Sequence, residues 1–216
     1  MIRLPLMGLV FACAVFMTSC GTKSRQASGN SDTAAVAVSV ADTATAVIPV
    51  YAKGYAVKHL PGNVRLVDIH DPQKEEGNTF RYALVPRGTK PAGIPADYTV
   101  IETPVKHVIC MTSLQLSNFI RLDACDYVVG ITSTRHLFNK EMNGRLKAGK
   151  TSKIGIEGNF DNEVIMSINP DVIFISPFKR GGYDAMRETG IPLVPHLGYK
   201  EMTPLGQAEW LSLIHI

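Results

Sequence analysis

The chain lacks the marks of the common enzyme scaffolds: it holds no Gly-x-Ser-x-Gly elbow, no phosphate-binding loop and no Gly-x-Gly-x-x-Gly after a strand. Ser113 follows an apolar run and could pose as a nucleophile. No base or orienting acid is identified for it, so a pocket or helix-capping role is expected over a serine hydrolase. Net charge is only +3, and no basic stripe with interleaved aromatics is present, so nucleic acid is not an expected partner. Of four cysteines, Cys13 and Cys20 fall near the amino terminus; Cys110 and Cys125 sit in apolar surroundings and are expected as buried thiols rather than a disulfide. His136 and His196 lie on separate predicted loops, which argues against a bare zinc or manganese site.

The one long apolar stretch, Leu4 to Met17, is too short to span a bilayer and follows Arg3, as an export signal over residues 1–19 would. Met17-Thr18-Ser19-Cys20 resembles a lipobox, in which Cys20 is acylated after cleavage; several acyl chains give a stable anchor where one does not. From Gly21 to Ala46 there is no aromatic residue and an excess of Ser, Thr, Ala and Gly, so residues 20–46 read as a lipidated cysteine and flexible tether. No acidic run follows Cys20, and a periplasm-facing location is expected.

Residues 47–104 read as a β-rich extension. Tyr55–Leu60 and Val64–Ile69 alternate about Pro61-Gly62-Asn63 and predict a hairpin; Phe80–Val85 predicts a third strand, and Pro91, Gly93 and Pro95 a loop. Beyond Val105 the rhythm turns to strand and helix in alternation. Val105–Met111, Tyr127–Ile131, Ser152–Ile156, Asp171–Ser176 and Ile191–Pro195 are predicted strands. Ser113–Leu122, Asn162–Ile168 and Tyr183–Thr189 are predicted helices, and His136–Ala148 a helix or helical loop. The fold class is therefore α/β, a mainly parallel sheet flanked by helices, with ligands expected at the carboxyl ends of the strands.

The run Asn162-Glu163-Val-Ile-Met-Ser-Ile-Asn-Pro170-Asp171-Val-Ile-Phe-Ile-Ser176 is similar to a signature of periplasmic substrate-binding proteins of ABC importers for iron siderophores, cobalamin and haem. Val105–Ser113, Asp126–Thr132, Lys153–Gly155, Gly190–Val194 and Pro204–Trp210 resemble the flanking strands and the start of the connecting helix, so the resemblance spans Val105 to Trp210. It implies the first lobe, residues 105–210, of a two-lobed periplasmic-binding fold. Residues 211–216, Leu-Ser-Leu-Ile-His-Ile, also spell one reading frame of a transposon-end sequencing adapter, and a non-native tail with a missing second lobe is the expectation.

The same resemblance implies a binding protein rather than an enzyme, with no intrinsic cofactor, an ABC permease and ATPase as partners, and a ferric siderophore or cobalamin as ligand. By matching position the pocket turns are Met111–Gln115, Ser133–His136, Ile156–Asn159, Pro177–Arg180 and His196–Tyr199. Ser113, Leu114, Arg135, His136, Glu157, Phe178, Lys179, Arg180 and Tyr199 are the candidate ligand-binding residues. Arg135, Lys179 and Arg180 could pair with an anionic chelate, and Phe178 and Tyr199 could stack on a flat ligand. Glu163 is expected to dock on permease arginines. Haem-binding relatives often carry a tyrosine where this chain has Ile156, which lowers the expectation of haem without removing it, since Tyr199 and His136 are available. A tethered structural or adhesion module is the alternative, suggested by the β-rich extension.

Overall fold

The computed structural model describes residues 45–47, 49–90, 92–132, 135–156, 158–177 and 183–215. The expected export signal, Cys20 and nearly all of the tether lie outside them.

Two five-stranded sheets are described, together with a small hairpin. The first sheet orders its strands β1 (Thr45–Val47), β2 (Tyr55–Leu60), β3 (Val64–Ile69), β4 (Phe80–Pro86) and β5 (Thr99–Thr103). Its centre is the expected hairpin: β2 and β3 pair antiparallel from Tyr55 opposite Ile69 to Leu60 opposite Val64. The turn needs left-handed backbone at Gly62 (φ 76°) and Asn63 (φ 59°), which glycine and asparagine adopt at least cost. β4 runs antiparallel to β3 and parallel to β5.

The second sheet is built from β6 (Val108–Cys110), β7 (Val128–Ile131), β8 (Ser152–Lys153), β11 (Val172–Ile175) and β12 (Leu193–Pro195). All its pairings are parallel, in the order β12-β11-β6-β7-β8. Helices α1 (Ser113–Arg121), α2 (Lys140–Lys147), α3 (Asn162–Ser167), α4 (Tyr183–Arg187) and α5 (Pro204–His215) complete the alternation. This mixed α/β architecture with a parallel sheet is the one expected. The predicted strand Ser152–Ile156 is instead split. Gly155 takes φ +93°, a Cβ there would lie 2.4 Å from the Asn159 carbonyl oxygen, and the chain leaves the sheet to form a hairpin of β9 (Gly155–Ile156) and β10 (Asn159–Phe160). Of the segment His136–Ala148, expected as a helix or helical loop, the helix begins at Lys140, where the Asn139 side chain caps it by accepting from the Met142 N–H.

Alternation along the buried strands explains the layers. In β11, Val172 and Phe174 join Val108 and Cys110 on one face, while Ile173 and Ile175 join Ile109 on the other. The second face packs on Ile165 of α3 and Met186 of α4. The first face packs on Leu116 and Phe119 of α1, Trp210 of α5, and the inward side chains Tyr55, Val57, Val67, Ile69, Tyr82 and Ile101 of the first sheet. The β-rich segment thus contributes one wall of a shared core, and the Tyr82 hydroxyl donates to the Leu193 carbonyl at the foot of β12.

Two carboxylates fasten the amino-terminal side of the first sheet to α5. Glu209 accepts from the N–H groups of Val50, Tyr51 and Ala52 at 2.7–2.8 Å. Burial alone would raise this carboxyl, and the three donors outweigh it and hold it below the ordinary range. Glu201 accepts from Lys53 N–H, Gly54 N–H and the Trp210 indole, each at 2.9 Å. Trp210 is fully enclosed, with Tyr55 edge-on at 5.1 Å.

Candidate functional site

The strand order reverses between β6 and β11, so the segments leaving these two strands diverge to opposite faces; in open α/β sheets such a switch point is where ligands sit, in the crevice beyond the carboxyl ends of the strands. The β6 side is held by a capping box. Thr112, rather than Ser113, is the N-cap of α1: its hydroxyl accepts from Gln115 N–H, while the buried Gln115 side chain accepts from Met111 N–H at 2.9 Å and Thr112 N–H at 3.0 Å. Ser113 and Leu114 are left in the first turn, where helix geometry provides no intrahelical acceptor for their N–H groups. Both are exposed, Leu114 by 46%. The Thr132 hydroxyl, from the end of β7, donates to the Met111 carbonyl at 2.9 Å.

On the β11 side, Ser176 donates to the Tyr199 hydroxyl at 3.2 Å, and Tyr183 donates to the Ser176 carbonyl at 3.4 Å. Tyr199 keeps 40% of its surface exposed. Beneath it His196 is almost wholly enclosed, edge-on to Trp210 at 5.1 Å and to Phe174 at 6.4 Å. The Asn118 amide donates to His196 Nε2 at 3.1 Å, which places the imidazole proton on Nδ1, where no described residue accepts it. Burial pushes the His196 pKa down to about 4, so the ring is neutral at pH 7.

Of the residues expected from sequence, Ser113 and Leu114 lie in the first turn of α1 after β6 and Tyr199 in a 3-10 turn, Gly198–Lys200, after β12, with exposed Arg135 and His136 on the loop after β7. Glu157, Phe178, Lys179 and Arg180 lie outside the described residues. Glu163 is exposed in the first turn of α3, which Asp161 caps by accepting from Val164 N–H. Sequence reasoning missed Asn118, Thr132, Ser176 and Phe138. Ser176 ends one predicted strand and Thr132 directly follows another, so position could have flagged them; Phe138 and Ile156 are exposed by 85% and 61%.

The Asp171 of the Pro-Asp pair belongs to the other end of the sheet. Its carboxylate accepts from Lys106 N–H at 2.7 Å, His107 N–H at 2.9 Å and the Arg87 guanidinium at 3.1 Å, tying the end of β4 to the start of β6. Burial opposes ionisation there, and these donors outweigh it and lower the carboxyl below the usual range. Cys110 and Cys125 are buried free thiols; burial raises Cys110 strongly and Cys125 to about 11. Among the described residues no imidazole or carboxylate hydrogen-bonds the Ser113 hydroxyl, and no three His, Cys, Asp or Glu side chains converge to hold a metal ion. No described helix is long and apolar enough to cross a membrane.

No family model matches the chain. Solved structures similar to it include a periplasmic haem-binding protein from Roseiflexus sp. RS-1, at 19% identity and TM-score 0.33, covering 42% of this chain and 33% of that one. A molybdate periplasmic binding protein of Haemophilus influenzae matches at 18% identity and TM-score 0.38, over 47% and 34%. A periplasmic vitamin B12 binding protein of Vibrio cholerae matches at 12% identity and TM-score 0.34, over 52% and 48%. A curated relative, an uncharacterized lipoprotein of Methanocaldococcus jannaschii, is 30% identical over 129 residues, which is 54% of this chain. The chain spans 30% of the length of that relative.

Proposed function

We propose that this chain is the ligand-capturing lipoprotein of an ABC importer, holding an iron chelate or a corrinoid at the membrane and passing it to a permease. The observation that carries the reading is the switch point of the parallel sheet, with exposed Leu114 and Tyr199 on the segments that follow its strands and polar groups there already fixed by Gln115, Thr132 and Ser176. Fixed polar groups orient a ligand without being reorganised by it, and apolar side chains cover its bulk; this suits reversible capture rather than bond chemistry. The signature around Pro170-Asp171 supports the family, and the name of the Methanocaldococcus jannaschii relative supports a lipid anchor at Cys20.

Trp210, the sole tryptophan, is packed against His196 beneath the crevice and reports on it. Titration of the full chain with cobalamin, ferric hydroxamate and catecholate siderophores, and haem should give a saturable Trp210 fluorescence change with one class, weakened about tenfold or more in Tyr199→Ala. Silence to every ligand in both fluorescence and calorimetry sinks the reading. Delivery to permease arginines through Glu163 is tested separately: Glu163→Arg should abolish uptake in cells and leave ligand affinity intact, and surviving uptake removes that role.

A further inference from the structure

The net charge of +3 conceals a strong local imbalance. Between Lys140 and Lys153 there are five basic residues and one acidic, a net of +4, so the remainder of the chain is net −1. Helix geometry separates these groups by face. Glu141 and Arg145 are four residues apart and both turn toward the segment 125–127: the Glu141 carboxylate lies on the Cys125 thiol, and the Arg145 guanidinium pairs with Asp126 and donates to the Asp126 carbonyl at 3.1 Å. Met142 and Leu146 turn into the core. Lys140, Asn143 and Lys147 share the outward face at i, i+3 and i+7.

That face continues into the turn that follows. Lys147 and Lys153 line one shallow depression together with Asn143, Leu146, Gly149, Thr151, Ser152 and Val164. Lys140, Lys147, Lys150 and Lys153 are all exposed, and none has an ion-pair partner among the described residues. Gly144 and Gly149, on the same stretch, have open space where a side chain would stand. At the start of the helix Phe138 projects into solvent with 85% of its surface exposed.

We infer that this lysine face, with Phe138 at its edge, docks the domain onto an anionic lipid surface. Four unpaired ammonium groups on flexible stems suit a diffuse sheet of negative headgroups, because each can find a phosphate without a fixed geometry. An exposed aromatic beside a basic helix face enters the headgroup boundary. An acidic protein partner would favour bidentate arginine and a shaped apolar socket, and the one arginine here is already committed to Asp126. The inference does not depend on what the crevice binds.

The test is co-sedimentation of the full chain with vesicles of phosphatidylcholine alone and with a third of it replaced by phosphatidylglycerol. An apolar leader or acyl chain enters both kinds alike, so the difference between them isolates headgroup charge. We expect binding to the anionic vesicles to be greater by about tenfold or more at about 0.1 M salt, and the gain to vanish at about 0.5 M. It should be lost in Lys147→Glu/Lys153→Glu, whose melting temperature and ligand binding should be unchanged, and Phe138→Ser should weaken binding to both vesicles. Equal binding to the two vesicles, or a gain indifferent to the lysine reversals, overturns the inference. If the gain is absent while the reversals abolish uptake in cells, the face belongs to an acidic protein partner and the lipid assignment is wrong.

Discussion

At the scale of single residues, His196 links the crevice to pH. Its folded-state pKa of about 4 lies below the ordinary 6.5, so between these values the unfolded chain binds a proton that the folded chain refuses. Stability should therefore be full above pH 6.5 and fall as pH drops toward 4, by roughly 3 kcal/mol across the window. Urea denaturation at a series of pH values checks this, and His196→Gln should flatten the slope between pH 4 and 6.5. Asp71, Asp171 and Glu209, all held below the usual carboxylate range, add their own loss only under more acid conditions, so the two effects separate along the pH axis. Gly155 is constrained by shape instead: Gly155→Ala combines a disfavoured φ with overlap on the Asn159 carbonyl, and should cost about 2 kcal/mol or more in thermal or urea melts. The sequence placed His196 at a strand end, yet nothing in a linear pattern tells an enclosed imidazole from an exposed one. Only the arrival of Trp210, Phe174 and Asn118 from three other elements decides it.

Elements were legible where their pattern is local. The Pro61-Gly62-Asn63 hairpin and the apolar run of β11 follow from short-range rules, since turn chemistry and burial on both faces leave marks within a few residues. The split of Ser152–Ile156 was not legible, because the apolar pattern runs on through Gly155 while its backbone turns away. The attachment of residues 50–54 was not legible either. Glu201 and Glu209 look like ordinary helix-flanking carboxylates in sequence, and only the fold brings five backbone N–H groups of that segment to them. Glu201→Ala leaves two of those donors and the Trp210 indole without their acceptor inside the protein. It should destabilise by about 2–4 kcal/mol, and limited proteolysis should cut within residues 49–54 at a protease dose that spares the unaltered chain.

For the molecule as a whole, the consequential contact is between the two sheets. The sequence separated a β-rich extension from the parallel sheet by a change of rhythm, and rhythm says nothing about which faces meet. The inward face of the first sheet is as apolar as a core strand: Tyr55, Val57, Val67, Ile69, Tyr82 and Ile101 are each nine-tenths or more buried, against Val108, Val172 and Val194 of the second sheet. Neither sheet can lose the other without exposing that surface, so the two should unfold together. Tyr82 sits at the junction, nearly fully buried and bonded to the Leu193 carbonyl, and burial keeps its phenol protonated far into alkali. Tyr82→Ala removes the ring and leaves an enclosed carbonyl without its donor, a loss of about 3–5 kcal/mol. Far-UV circular dichroism follows both sheets, whereas Trp210 fluorescence follows the core where α5 meets them. In the unaltered chain and in Tyr82→Ala the two probes should give coincident urea transitions. If the variant shows an early circular-dichroism loss with Trp210 still enclosed, the sheets unfold separately and the shared core is not one cooperative unit.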